Sequence, residues 1–127
     1  MIKRVVIIAD EGQPYVESMQ QYISARGFEV MLGDSGVDGF NKVREELPDI
    51  VFIDIQLSGF DGYQICSLLK FDIKYEHIPI VLLTDNDTER DRELIKDCKA
   101  DGYIVKPVDL NELTEHIKRL VTDLEDV

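Results

Sequence analysis

The sequence predicts an α/β fold: a doubly wound parallel sheet of five strands with five helices. Three observations lead to this prediction. Five short apolar runs, rich in β-branched residues, alternate with stretches in which apolar residues recur at helical spacing. Such continuous runs are typical of parallel strands that are buried on both faces. At 127 residues and 44% hydrophobic content, the chain suits one compact domain with a core of its own.

The five strands are expected at 5–9, 28–32, 50–53, 78–83 and 103–105. Between them the spacing of the apolar residues changes from that of a strand to that of a helix. Pro14 can begin the first helix, and Gly27 can end it. One apolar stripe marks each helix, and from first to fifth the stripes are Met19, Tyr22 and Ile23; Val37, Phe40, Val43 and Leu47; Ile65, Leu68 and Leu69; Leu94, Ile95 and Cys98; and Leu110, Leu113, Ile117, Leu120 and Leu124.

Strands that alternate with helices imply right-handed crossover connections. We expect the strand order 2-1-3-4-5, which is taken from the flavodoxin-like class of doubly wound folds and not worked out from this sequence. In such sheets ligands bind beyond the carboxyl ends of the strands, near the point where the winding reverses. The residues that follow the strands are therefore the first candidates for a functional site.

The composition disfavours several classes of function. A net charge of −12, from 26 acidic and 14 basic residues, disfavours direct binding to nucleic acid, which needs clustered Lys and Arg. The longest apolar stretch at the N-terminus, residues 5–9, is too short for a signal peptide or a membrane span, so we expect a cytoplasmic protein. Cys66 and Cys98 form no CxxC motif and are interpreted as small core residues.

Polar residues follow four of the five predicted strands. Asp10 and Glu11 follow the first strand, Asp54 the third, Thr84 the fourth and Lys106 the fifth. In a parallel sheet these residues gather at one edge. Three carboxylates held together repel one another unless a cation joins them. Because an all-oxygen cluster suits Mg²⁺, we predict Mg²⁺ as the cofactor.

The same residue types can carry out phosphoryl transfer. The Asp54 carboxylate can attack phosphorus to form an acyl phosphate. Mg²⁺ and Lys106 would neutralise phosphoryl oxygens, and Thr84 would donate a hydrogen bond to one of them. Taken singly, each residue has a plain interpretation as a turn, cap or surface residue. Their arrival in order at the strand ends is what favours a site.

Three segments resemble the receiver family of two-component signalling. The stretch 49–62, DIVFIDIQLSGFDG, resembles the family's phosphoacceptor segment, and Leu83-Thr84 resembles its hydroxyl position. The stretch 100–107, ADGYIVKP, resembles its lysine motif, whose Lys-Pro bond the family usually keeps cis. The likeness covers almost the whole chain. It implies one receiver domain over residues 1–127, with no output domain in this chain.

The resemblance implies a role for each matching residue. Asp54 would accept a phosphoryl group from a sensor histidine kinase or a phosphotransfer protein, with Thr84 and Lys106 as its catalytic partners. Thr84 and Tyr103 would be the switch pair, Thr84 moving toward the phosphoryl group and Tyr103 turning inward. The added charge would reshape the surface of the fourth helix, fifth strand and fifth helix, which signals to an effector protein or a fused output domain. The protein would then be a switch and not an enzyme, limited to self-phosphorylation and slow dephosphorylation.

Metal ligands and modulating positions also follow from the resemblance. The Mg²⁺ ligands would be Asp10, Glu11, Asp54 and the backbone carbonyl of Gln56. The positions expected to modulate the reaction are Gln56, Asp85 and Asn86.

Three residues depart from the family pattern. Glu11 stands where Asp is usual, so its longer arm is expected to shift the metal or hold it more loosely. Ser58 replaces a common proline and should soften the loop after Asp54. Asp85 stands where a small residue is usual. At roughly 6 Å its repulsion of a phosphoryl group would be about 3 kcal/mol at an effective dielectric of about 20, so we hypothesise that it slows phosphorylation or weakens the active state.

Several alternatives stay open or are disfavoured by the order of the motifs. Because of Glu11 and Asp85, the alternative function is a degenerate receiver that binds proteins without being phosphorylated. A phosphatase of the haloacid-dehalogenase type would carry its nucleophile in a DxD motif after the first strand, where this chain has only Asp10-Glu11. A flavodoxin would need a phosphate-binding loop after the first strand, where two acidic residues would repel phosphate. The sequence does not identify the cognate kinase or the downstream target. It also leaves open whether the chain is a stand-alone protein or an excised domain, and whether phosphorylation drives dimerisation.

Overall fold

The computed structural model describes residues 2–121 of the chain. Within these residues, five strands alternate with five helices. The strands are β1 Arg4–Ile8, β2 Glu29–Gly33, β3 Ile50–Asp54, β4 Ile80–Thr84 and β5 Gly102–Val105. The helices are α1 Pro14–Ser24, α2 Gly36–Glu46, α3 Gly62–Lys70, α4 Glu89–Asp97 and α5 Leu110–Leu120. Each predicted strand is confirmed, with its ends shifted by at most two residues.

All five strands form one parallel sheet in the order β2-β1-β3-β4-β5. This order confirms the prediction of a doubly wound, flavodoxin-like α/β fold. The register keeps the strand ends nearly level, since Ile8 pairs with both Gly33 and Ile53, and Thr84 pairs with Val105. Consequently the residues that follow β1, β3, β4 and β5 lie at one carboxyl edge, with the reversal of winding between β1 and β3.

Apolar side chains cover both faces of the sheet. Successive residues of β1 point to opposite faces, so that Val5 and Ile7 belong to one core cluster and Val6 and Ile8 to the other. Helices α1 and α5 complete the first cluster, and α2, α3 and α4 complete the second; the helix residues concerned are Met19, Ile23, Leu113 and Ile117 on the first face, and Val43, Ile65, Leu69 and Ile95 on the second.

The apolar stripe predicted for the second helix is wrong at two positions. Val37 and Leu47 are each 56% exposed. Helix α2 buries Gly39 and Val43 instead. A Cβ on Gly39 would lie 2.5 Å from the Ile8 side chain, so the helix approaches the sheet through a residue without a side chain. The spacing of apolar residues cannot reveal a contact of that kind.

The remaining expectations have mixed outcomes. Leu68, placed on the third stripe, is 51% exposed, whereas Leu69 beside it is buried. Leu124 lies outside the described residues. Cys66 and Cys98 are buried and free of disulfide bonds, as predicted. Across residues 2–121, every helix is too short or too polar to cross a lipid bilayer.

Candidate functional site

The carboxyl edge of the sheet brings together the residues that follow its strands. Asp54 is the last residue of β3 and pairs in register with Leu83, one residue before Thr84. Because Ile53 pairs with Ile8, Asp10, which follows the neighbouring strand β1, lies just beyond the level of Asp54. Lys106 follows β5, and its backbone amide donates to the Thr84 carbonyl at 2.8 Å. The predicted convergence of these residues at one edge is therefore observed.

The Asp54 carboxylate is fully buried and bonded at both oxygens. Its side chain is 0% exposed. The Lys106 ammonium donates to Oδ1 at 2.9 Å and to Oδ2 at 2.8 Å, and the backbone amide of Gln56 donates to Oδ1 at 2.9 Å. Charge-assisted bonds of this kind are about twice as strong as neutral ones. They hold a buried negative charge that would otherwise be costly.

Tyr15 is a site residue that sequence reasoning missed. It lies in the first turn of α1, and its hydroxyl donates to Oδ2 of Asp54. Burial is the main cause that raises the pKa of Tyr15, and the bond to Asp54 and its charge raise it further, followed by the charges of Asp85 and Asp10. Three carboxylates thus act on one phenol. The only sequence signal was an aromatic hydroxyl at the start of the helix that follows the acid pair.

Asp10 is bonded to the loop that follows β3. Its carboxylate accepts the Ser58 backbone amide at 3.0 and 3.1 Å and the Ser58 hydroxyl at 2.8 Å. A proline at position 58 could provide neither donor. These contacts tie the loop to the end of β1, although the sequence had suggested a softer loop. Glu11, next to Asp10, is exposed.

The oxygen donors at this edge fit Mg²⁺ better than a softer metal. Within residues 2–121, no three Asp, Glu, His or Cys side chains are grouped closely enough to hold a metal ion by themselves. Mg²⁺ does not require such a group, since it keeps several waters and takes one or two carboxylates. Asp10 and Asp54 are two such carboxylates at the carboxyl ends of neighbouring strands. Their chemistry therefore suits a largely hydrated Mg²⁺.

The hydroxyls of Thr84 and Tyr103 are hydrogen-bonded to groups other than Asp54. The buried Thr84 hydroxyl donates to the Asn86 carbonyl at 2.7 Å. The Tyr103 hydroxyl donates to Asp87 at 3.1 Å, and this bond raises the pKa of Tyr103. Both members of the expected switch pair are thus held by the loop between β4 and α4, Tyr103 on its exposed side.

Asp85, which follows Thr84 at the end of β4, lies close to Lys106. Its carboxylate lies 3.5 Å from the Lys106 ammonium, and the Asp85 side chain is 35% exposed. The same ammonium lies 5.2 Å from the centre of the Tyr15 ring. Lys106 therefore lies close to two carboxylates and an aromatic ring.

The segment after Asp54 fits only if residue 62 has no side chain. A Cβ on Gly62 would lie 2.5 Å from the Asp54 carbonyl oxygen. Asp61 caps α3 through a capping box with Gln64. The peptide bond between Lys106 and Pro107 is cis, as the resemblance implied.

These observations define a doubly wound α/β protein with a buried aspartate–lysine site at the carboxyl edge of its sheet. A sequence model of the family described as the response regulator receiver domain matches residues 6–118. The chain belongs to that family, whose members act in two-component signalling.

Solved structures of receiver domains are similar to this chain over nearly its whole length. Response regulator TrrA from Thermotoga maritima, solved in complex with Mg²⁺ and BeF, has 26% identity and a TM-score of 0.81, and the match covers 94% of this chain and 100% of TrrA. The receiver domain of a histidine kinase from Syntrophus aciditrophicus has 25% identity and a TM-score of 0.83, with 97% and 93% covered. Chemotaxis protein CheY4 from Vibrio cholerae, at 19% identity and a TM-score of 0.86 over 95% and 100%, shares the fold.

Proposed function

We propose that this receiver domain is a phosphorylation-controlled switch that accepts a phosphoryl group on Asp54. The donor would be the phosphohistidine of a sensor kinase or of a phosphotransfer protein. The observation that carries the proposal is a carboxylate that is 0% exposed yet bonded at both oxygens to Lys106. A buried acid with a cation on its reacting side is suited to attack phosphorus and to have the transferred charge neutralised.

The transfer step needs few parts from the protein. A carboxylate oxygen of Asp54 forms a bond to phosphorus while the bond from phosphorus to the donor nitrogen breaks, and the imidazole leaves with the electron pair and takes up a proton. Lys106 stays bonded to the carboxyl group and neutralises a phosphoryl oxygen. The Thr84 hydroxyl, now on the Asn86 carbonyl, would turn to donate to another phosphoryl oxygen.

Magnesium would be held by Asp10, Asp54 and the backbone carbonyl of Gln56, with Glu11 beside them. Four carboxylates, those of Asp10, Glu11, Asp54 and Asp85, stand at these strand ends against the single ammonium of Lys106. A divalent cation offsets much of that excess negative charge. When bound, Mg²⁺ would supply charge neutralisation for the phosphoryl oxygens.

The signal would pass through the loop between β4 and α4. When the Thr84 hydroxyl leaves the Asn86 carbonyl, this loop loses the bond that anchors its start. The same loop carries Asp87, which holds the Tyr103 hydroxyl outward. Tyr103 would then turn inward and alter the surface of α4, β5 and α5 that an effector protein or an output domain reads.

The alternative function is that of a receiver that binds partners without being phosphorylated. Two observations favour it: the loop after Asp54 is bonded to Asp10, and Asp54 itself is bonded at both oxygens. Under this alternative, these contacts would be permanent and no phosphodonor would displace them.

Treatment with acetyl phosphate and Mg²⁺ separates the two functions. We expect one phosphoryl group per chain, visible as a shifted band on a phosphate-affinity gel, and no label when EDTA removes Mg²⁺. Asp54→Asn should abolish the label, whereas the matched control Asp49→Asn, at the opposite end of β3, should keep it. Unlabelled wild-type protein would support the phosphorylation-independent module.

A further inference from the structure

The geometry around Asp54 points to a brake, meaning a residue that slows the phosphorylation of Asp54. We propose that the Tyr15 hydroxyl caps the reacting carboxylate of Asp54 and slows the transfer of a phosphoryl group to it. This inference rests on the proposed function of Asp54 as the phosphoacceptor. It gives a residue of α1 an effect on the reaction, although this residue lies outside the family motifs and does not follow a strand.

The contacts leave no free oxygen on the acceptor. Oδ1 accepts from Gln56 and Lys106, and Oδ2 accepts from Tyr15 and Lys106. A nucleophilic oxygen must offer a lone pair to phosphorus, and a hydrogen bond engages that lone pair. The Asp54 side chain is 0% exposed and Tyr15 is bonded to Oδ2, so a donor can reach this oxygen only after a neighbouring group moves. The hydroxyl must therefore leave before phosphorus can be bonded there.

Tyr15 packs partly buried against the core cluster that α1 and α5 complete, and only its side chain has to move for the hydroxyl to leave Asp54. It follows Pro14 in the first turn of α1, and its N-cap residue Gln13 makes no side-chain capping bond. A change of side-chain rotamer moves the hydroxyl away while the helix stays formed. The Lys106 ammonium, 5.2 Å from the ring centre, remains to hold the carboxylate.

The brake is a property of the hydroxyl and not of the ring. In the reaction with acetyl phosphate, an Asp54 oxygen bonds to phosphorus, the bond from phosphorus to the acetyl oxygen breaks, and acetate leaves with the electron pair. Tyr15 keeps its proton throughout, so it neither donates a proton to the leaving group nor accepts one. Phenylalanine at position 15 keeps the aromatic contact with Lys106 and removes the cap alone.

The decisive comparison is between two tyrosines of the same helix. The Tyr22 hydroxyl bonds Thr114 at 2.7 Å, away from the strand ends, so Tyr22→Phe is the matched control for Tyr15→Phe. With acetyl phosphate and Mg²⁺, we expect Tyr15→Phe to be labelled about tenfold faster than wild type, which corresponds to about 1.4 kcal/mol. Tyr15→Leu should be accelerated as well, and Tyr22→Phe should be unchanged. A merely structural role would make these variants slower or leave the rate alone.

A second readout needs neither metal nor phosphodonor. In metal-free protein, the NMR signals of the Tyr15 ring should shift in Asp54→Asn, whereas those of Tyr22 should not. Equal labelling rates for wild type and Tyr15→Phe, or a Tyr15 ring that is insensitive to Asp54→Asn, would overturn the proposal. If neither wild type nor Tyr15→Phe is labelled at all, the proposed acceptor function of Asp54 fails, and the brake fails with it.

Discussion

Two lysine–aspartate pairs lie at opposite edges of the same sheet. Lys106 bonds Asp54 at the carboxyl edge, and Lys70 bonds Asp101 at 2.9 Å at the amino edge. Both lysines are largely buried, with 16% of the Lys106 side chain exposed and 9% of the Lys70 side chain. The pairs are alike in chemistry, and they differ in what surrounds them.

The Lys70 pair is complete in itself. The three acceptors around the ammonium match its three N–H donors: the carbonyl of Glu76 at 2.7 Å, that of Ile78 at 3.1 Å, and the Asp101 carboxylate. The same Asp101 oxygen accepts the Ile80 amide at 2.8 Å. The pair thereby fastens the end of α3 to the beginnings of β4 and β5.

The Lys106 pair is unbalanced. Its ammonium lies close to the carboxylates of Asp54 and Asp85, and Asp10 follows the strand next to that of Asp54. An excess of negative charge costs stability and prepares the edge for a cation. The Lys70 pair thus satisfies its own donors and acceptors, whereas under the proposed function the Lys106 pair would leave negative charge for a ligand to neutralise.

Removal of Lys70 should strongly lower the stability of the protein. Lys70→Met leaves two backbone carbonyls and Asp101 without their shared donor, so the free energy of unfolding should fall by about 3 kcal/mol. Urea unfolding measures it, with the exposed Lys74→Met as control. Labelling by acetyl phosphate should be unaffected in the folded protein. A loss of labelling would mean that the amino edge also takes part in the reaction.

Removal of Lys106 should act on the reaction. Lys106→Met takes away the ammonium that would neutralise the transferred charge, so labelling by acetyl phosphate should slow by about a hundredfold. Lys96→Met, at an exposed position on α4, is the control and should keep the wild-type rate. If the two variants were labelled equally fast, Lys106 would be a structural residue like Lys70.

Neutralising the two aspartates should change stability in opposite directions. Asp54→Asn removes one of the excess negative charges at the carboxyl edge. Without Mg²⁺ and at low salt, the free energy of unfolding should therefore rise by about 1 kcal/mol. Asp101→Asn removes a charge from a balanced pair and should lower it by about 1 kcal/mol. Denaturant titrations of both variants beside wild type test the signs. If the free energy of unfolding rose in both variants, or fell in both, the two edges would not differ in their balance of charge.

The smallest effect concerns Asp85. Its side chain is 35% exposed and paired with Lys106, so solvent and the ammonium screen most of its repulsion of a phosphoryl group. Asp85→Ala should therefore be labelled about threefold faster than wild type, well below the unscreened limit. Asp97→Ala, exposed at the far end of α4, serves as the control. An unchanged rate would defeat the hypothesis that Asp85 slows phosphorylation.

The strands and their polar end residues could be predicted because both depend on local patterns. Buried parallel strands are continuous apolar runs, and the parallel sheet then brings Asp10, Asp54, Thr84 and Lys106 to one edge whatever their separation in sequence. The family motifs placed the same residues independently. No knowledge of side-chain rotamers was needed for this part.

Tyr15, Lys70 and Gly39 could not be predicted because each depends on distance in three dimensions. Tyr15 reaches the site from a helix, where an aromatic residue is more often part of the core. A lysine is almost never buried unless it is paired, and the partner of Lys70 lies 31 residues further along the chain. Gly39 lies so close to Ile8 that a side chain at this position would clash with it. In each case the role of the residue depends on what it contacts in the folded protein, and the residue type alone does not reveal that contact.

The most direct test is to find the residue that carries the phosphoryl group. After treatment with acetyl phosphate and Mg²⁺, borohydride reduces an aspartyl phosphate to homoserine, which mass spectrometry of peptides can locate. We predict homoserine at position 54 and aspartate at positions 10 and 85. Homoserine at any other position, or unmodified Asp54 in protein that has gained a phosphoryl group, would contradict the assignment of this edge as the reacting site.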